Sequence, residues 1–243
     1  MKKIICFLLT FASLFNLHGQ RLVEFTSDYI ALTVPQQYYG EIWYLNDSSK
    51  LQEIKLVTEV KNDYTLLSSF ANIVSNVTIY ELQRDGSLSV AGISVSAKDK
   101  QYQVIYDFSQ SQTLIYGENE GSPFSALVGV GVRMVAKVRT KKAGINLTSP
   151  FSLAANFEKL EGSLEVRVTG IVSQKINGLI PTTTDLSAAS ISNALQSVAT
   201  IKSHMYDTDT VIIPQYLAYN KRDIKGDTFL KAGENIISNP QKN

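Results

Sequence analysis

Two stretches of the chain alternate between apolar residues and others. Val128, Val130, Val132, Met134, Ala136 and Val138 are separated by Gly129, Gly131, Arg133, Val135 and Lys137, and Arg139 follows. A period of two predicts a long strand with one buried face and one small or basic face. Leu164, Val166 and Val168 alternate in the same way with Glu165, Arg167 and Thr169. Two other stretches have helical spacing. Ile191, Ala194, Leu195, Val198 and Ile201 form one apolar stripe within Ala188 to His204. Ser149-Pro150 supplies an N-cap followed by proline at the first helical position. Phe151, Ala154, Phe157 and Leu160 would then share a face, with Gly162 as the C′ glycine. A last strand runs from Val211 to Tyr219, and Pro214 places it at an edge.

The order from 127 to 219 is therefore strand, helix, strand, helix, strand. Parallel pairing would require right-handed crossovers. Antiparallel pairing of the strands around 130 and 166 fits the pattern equally well. In either case, strands with one apolar face call for helices on that face alone.

The preceding region reads mostly as strands. Leu22 to Val34 ends at Pro35, and Tyr38 to Leu45 and Leu51 to Val60 follow. Leu66, Leu67, Phe70, Ile73 and Val74 have helical spacing within Asn62 to Ser75, with Asn62 or Asp63 as the cap. A meander comes next. Val77 to Gln83 turns at Asp85-Gly86 into Leu88 to Val95, and Lys98-Asp99-Lys100 turns into Tyr102 to Phe108. Thr113 to Tyr116 adds a short strand. The fold class is α+β: a β-rich part over 20–116 with one short helix, then a strand–helix–strand–helix–strand part over 117–220. A soft boundary lies at Gly117 to Pro123. The two parts are also compatible with one continuous domain. Residues 221–243 are polar and expected to be frayed or loosely docked.

The N-terminus sets the expected compartment. Met1-Lys2-Lys3 precedes an apolar run from Ile4 to Phe15. That run is shorter than the ~20 residues of a membrane-spanning helix. With Gly19 at the cleavage point, residues 1–19 read as a signal peptide that leaves Gln20 first. Cys6 lies at the start of the apolar run rather than after it, where a lipobox cysteine would stand. Cleavage removes the single cysteine and His18, leaving His204 as the one histidine. The charge becomes 21 basic against 22 acidic residues once Lys2 and Lys3 are gone. An exported chain without disulfides relies on its core, which suits a periplasmic, outer-surface or extracellular bacterial protein.

This inventory narrows the chemistry. A near-neutral chain offers no field for nucleic acid. Without cysteine there is no thiol catalysis, and with one histidine no zinc site of the usual ligand sets. A Ser-His-Asp triad would have to use His204, which sits at a helix C-terminus where an imidazole complements the dipole. No Gly-x-Ser-x-Gly elbow or phosphate loop occurs. No cofactor and no metal are expected. The pairs Glu118/Glu120 and Asp207/Asp209 carry oxygen ligands but lack a calcium-loop pattern.

What remains is binding. In Tyr38 to Tyr44, an extended backbone puts Tyr39, Glu41 and Trp43 on one face. Two rings flanking a carboxylate can stack on a sugar and accept its hydroxyl protons, so these three residues are the candidate ligand site. The expected role is non-catalytic binding of a protein or glycan in the envelope or outside the cell. A secreted pore former is the first alternative. Its amphipathic strands at 128–138 and 164–172 approach membrane-strand length, and Arg133, Lys137 and Arg139 would face the lumen. A carboxylate-based hydrolase is the second.

Overall fold

A computed structural model of the protein describes residues 25–26, 28–37, 42–45, 51–54, 67, 70, 72–92, 94–95, 97–116 and 124–220. The signal peptide, the 117–123 boundary and the 221–243 tail lie outside the described residues. So does most of the expected 62–75 helix.

The architecture is a strand-rich antiparallel sheet with few helices. The main sheet is built from β1 (Tyr29–Gln37), β4 (Asn72–Leu82), β5 (Leu88–Val90), β7 (Gln101–Tyr116), β8 (Phe124–Thr140), β10 (Leu160–Thr169), β12 (Thr184–Asp185) and β14 (Gln215–Asn220). Its path is β1-β14-β8-β7-β4-β5, with β10 also on β8 and β12 on β10. Three two-stranded pairs accompany it: β2 (Ile42–Leu45) with β3 (Leu51–Ile54), β6 (Ser94–Val95) with β9 (Ile145–Asn146), and β11 (Ile171–Val172) with β13 (Val211–Ile212). The helices are α1 (Pro150–Asn156), a 3-10 turn at Phe157–Lys159, α2 (Gln174–Asn177) and α3 (Ala188–His204).

Long pairings replace several short expected elements. β7 is one strand of 16 residues, where a break between Phe108 and Thr113 was expected. It pairs with β8 without a slip from Gln101↔Arg139 to Tyr116↔Phe124, so neighbours on β8 hold the polar Ser109–Gln112 stretch extended. β4 pairs with β7 from Asn72 to Glu81, so Asn72–Ser75 is strand and not the end of a helix. The Leu88–Val95 return strand is broken: β5 stops at Val90, and β6 leaves to pair with β9. β1 runs through Pro35, with a register shift between Ala31 and Gln36 that accommodates the proline on an edge strand.

The C-terminal part pairs antiparallel throughout. β10 follows β8 from Leu160↔Thr140 to Thr169↔Gly131, and β14 continues along the same flank from Gln215↔Gly129. The expected strand over 211–219 is split at Ile213-Pro214 into β13 and β14, and β14 is internal, between β1 and β8. Gly170 makes the fork between β10 and β14 possible. Its φ is +69°, and a Cβ there would lie 2.4 Å from the Ile213 carbonyl oxygen.

The expected helix from Ser149 is shorter than its pattern. It ends at Asn156, Leu160 already belongs to β10, and Gly162 lies inside β10 opposite Val138 instead of capping the helix. Pro150 and Leu153 are its buried residues, while Phe151 is exposed. α3 has the bounds its stripe predicts, and Ile191, Ala194, Val198 and Ile201 are buried. They join one core cluster with Val128 to Val138 on β8 and with Tyr102, Val104 and Tyr106 on β7. Both compositional parts therefore contribute to the main core cluster.

Candidate functional site

The face opposite this core carries Asp107, Arg133 and their neighbours. It was expected to be wet, and much of it is buried. Gly129, Gly131, Arg133 and Val135 are all buried, and only Lys137 and Arg139 at the far end of the row are exposed. The sheet curls on this side. Thr26, just before β1, forms a parallel bridge with Asn76 on β4, at the opposite side of the sheet path. The Ala31 N–H donates to Thr78 Oγ1 at 2.9 Å, and the Tyr80 hydroxyl donates to the Ala31 carbonyl. Side chains of β4 thus satisfy backbone groups of β1 that have no strand partner there. A Cβ on Gly129 would lie 2.2 Å from the Gln110 carbonyl oxygen, so the close approach of β8 to β7 there depends on glycine.

The curled end is filled. Arg133 and Asp107 stand directly opposite in the β7–β8 register. The guanidinium donates from Nε to Asp107 Oδ1 at 2.8 Å and from Nη2 to Oδ2 at 3.1 Å. Its Nη1 donates to the Leu32 carbonyl. Arg133 is 1% exposed. Burial pushes the Asp107 carboxyl up, against the pull of the Arg133 charge. Burial also pushes the Tyr80 hydroxyl up to about 12. Ile30, Ala31, Tyr80 and Ile105 pack together here, with Leu88 against them.

The other end is open. Beyond Tyr80, the same face continues as Leu82 and Leu88 on β4 and β5, Gln101 and Gln103 on β7, Lys137 and Arg139 on β8, and Glu161 on β10. These residues line a trough of about 530 Å³. Register places them in rows: Gln103 faces Lys137, and Gln101, Arg139 and Glu161 stand abreast. Arg139 is held loosely, 3.8 Å from Glu161 and 3.9 Å from Asp99. The side chains of Gln101, Gln103 and Lys137 make no hydrogen bond or ion pair with described residues. A second cleft adjoins the trough between the turns at Arg84–Gly86 and Lys98–Lys100, where Lys100 pairs with Glu81.

Tyr39 and Glu41 lie outside the described residues. Of Trp43 only the backbone is described, opposite Glu53 in the β2–β3 pair. Glu118 and Glu120 also lie outside. Asp207 and Asp209 hold Lys175 at 3.1 and 3.4 Å, and His204 Nδ1 stands 2.8 Å from Asp207 Oδ2. The His204 contact, followed by Lys175, holds the Asp207 carboxyl below its ordinary range. Among the described residues, no three His, Cys, Asp or Glu side chains group as metal ligands. Sequence reading missed Gln101, Gln103 and Glu161. The available signal was the row Arg133, Lys137, Arg139, whose last two members mark where the face becomes wet.

The chain matches no family model, no curated protein and no solved structure.

Proposed function

We propose that the protein is an exported, non-catalytic binding protein of the bacterial envelope or extracellular space, and that the trough is its ligand site. One observation carries the reading. A concave surface of ligand size has an apolar floor from Leu82 and Leu88, and polar groups converge on it from three strands, among them Gln101, Gln103 and Lys137, whose side chains make no hydrogen bond or ion pair with described residues. Pockets of this kind bind by shape and a few placed polar contacts. Asp107, the most deeply buried carboxylate among the described residues, is sealed under β1 and committed to Arg133, which favours binding over hydrolysis. Val132, Met134 and Ala136 lie in the core shared with α3, which favours a structural role for β8 over membrane insertion.

The test is backbone NMR of residues 20–243 against a panel of oligosaccharides and envelope peptides. Shift changes are expected at Gln101, Gln103, Lys137 and Arg139. Binding that shifts other surfaces and leaves these four unmoved, or turnover of a panel member, would overturn the proposal.

A further inference from the structure

Resting on the trough being the ligand site, we infer that it takes an acidic saccharide, a short glycan bearing ring carboxylates. The argument begins with charge. Lys137 and Arg139 project from β8 two residues apart, on one face, about 7 Å apart along the strand. Among the described residues Glu161 is the single carboxylate lining the trough, and, with Asp99 outside the trough, it offsets Arg139. The further carboxylate that acts on Lys137 is Glu165, which is already bound to Arg167 at 2.7 Å, so the lining of the trough holds two cations against one carboxylate. An anionic ligand is the complement of that surplus.

The second part is hydrogen-bonding capacity. Gln103 stands directly opposite Lys137, and Gln101 opposite Arg139. Each amide offers two N–H donors and a carbonyl acceptor. A saccharide hydroxyl donates and accepts at once, so an amide matches it better than a charge alone does. A carboxylate on the same ring would meet Lys137, with Arg139 released from its loose contacts at 3.8 and 3.9 Å. The Leu82 and Leu88 side chains offer apolar surface to the C–H face of the ring.

The third part is what the trough lacks as a protein-binding surface. Protein interfaces are commonly anchored by large aromatic residues set in pockets. Tyr102 contributes to the lining but is 4% exposed, and Tyr80 beside it is 3% exposed, so neither offers an exposed ring as an anchor. A volume of about 530 Å³ fits a few sugar rings rather than a protein surface.

The experiment is calorimetric titration of residues 20–243 with trigalacturonate, maltotriose and an acidic hexapeptide, with NMR mapping of any binder. Trigalacturonate is expected to bind, to weaken as salt rises, and to shift the amides at 101–103 and 137–139. Lys137→Gln should weaken it about tenfold or more, as expected when a charge-assisted hydrogen bond is lost. Gln103→Ala should weaken it less. Both side chains reach solvent, so the fold is expected to survive, and an unchanged melting curve verifies this. Equal binding of maltotriose at the trough, unaffected by Lys137→Gln, overturns the acidic class while the trough remains the ligand site. Preference for the hexapeptide overturns the saccharide class. No shift at the trough with any probe overturns both this inference and the site.

Discussion

Arg133 sits in the middle of a strand and is 1% exposed, with Asp107 directly across from it. In isolation its sequence neighbourhood, Gly-Val-Arg-Met-Val, reads as a strand with a wet face. The information that buries it lies 26 residues away in Asp107 and 101 away in Leu32, whose carbonyl it also holds. A local pattern contains neither partner, so burial of this face was not legible, although the alternation itself was. The trough residues share the problem, since Gln103 and Lys137 acquire meaning only when register sets them opposite each other. Removing one member of a buried ion pair leaves the other uncompensated. Arg133→Met should therefore destabilise the protein by about 3–5 kcal/mol in urea unfolding. The double variant Arg133→Met/Asp107→Leu should recover most of that loss. If Arg133→Met alone unfolds at the parent's urea midpoint, the pair contributes nothing to folding.

At the scale of elements, legibility followed length. α3 was predicted at its observed bounds from its long apolar stripe, and the structure adds Ser187 as its N-cap. The cap recurs. Ser149 and Ser152 exchange backbone-to-side-chain hydrogen bonds at 3.1 and 2.9 Å, and Ser187 and Ser190 do so at 3.0 and 2.8 Å. Each is a capping box with serine in place of the usual glutamate at the third position. Yet α1 ends after 7 residues while α3 runs for 17. Leu160 completes a helical face in sequence, but pairing with Thr140 on β8 draws it into β10. Tertiary hydrogen bonding overrode local propensity there, as it did at Asn72–Ser75. Ser187→Ala should lower stability by about 1 kcal/mol through loss of the α3 cap. Thermal denaturation measures it, and no drop in Tm would show that the cap is dispensable.

At the scale of the molecule, the composition shift near residue 120 suggested two parts, whereas the sheet runs through both. β7 and β8 are neighbours along their whole lengths, and the core cluster mixes Phe70, Val77 and Tyr106 with Leu153, Val166 and Ile201. Sequence composition reports what each segment is made of, and says little about which segments share a sheet. Residues 20–118 and 119–243, produced separately, should each lack a cooperative thermal transition. Mixing them, or leaving the chain intact, should restore one. A cooperative melt from either piece alone would mean that it carries a sufficient core of its own.

β1 and β14, the first and last described strands, are paired to each other from Tyr29↔Asn220 onward. The outcome is a matter of timing. A chain that emerges N-terminus first presents β1 long before its partner exists, and the sheet cannot finish until the far end arrives. Closing so distant a contact is slow, and both strands keep a bare hydrogen-bonding edge in the meantime. The interval between emergence and closure is when this protein is most exposed to pairing with the wrong chain.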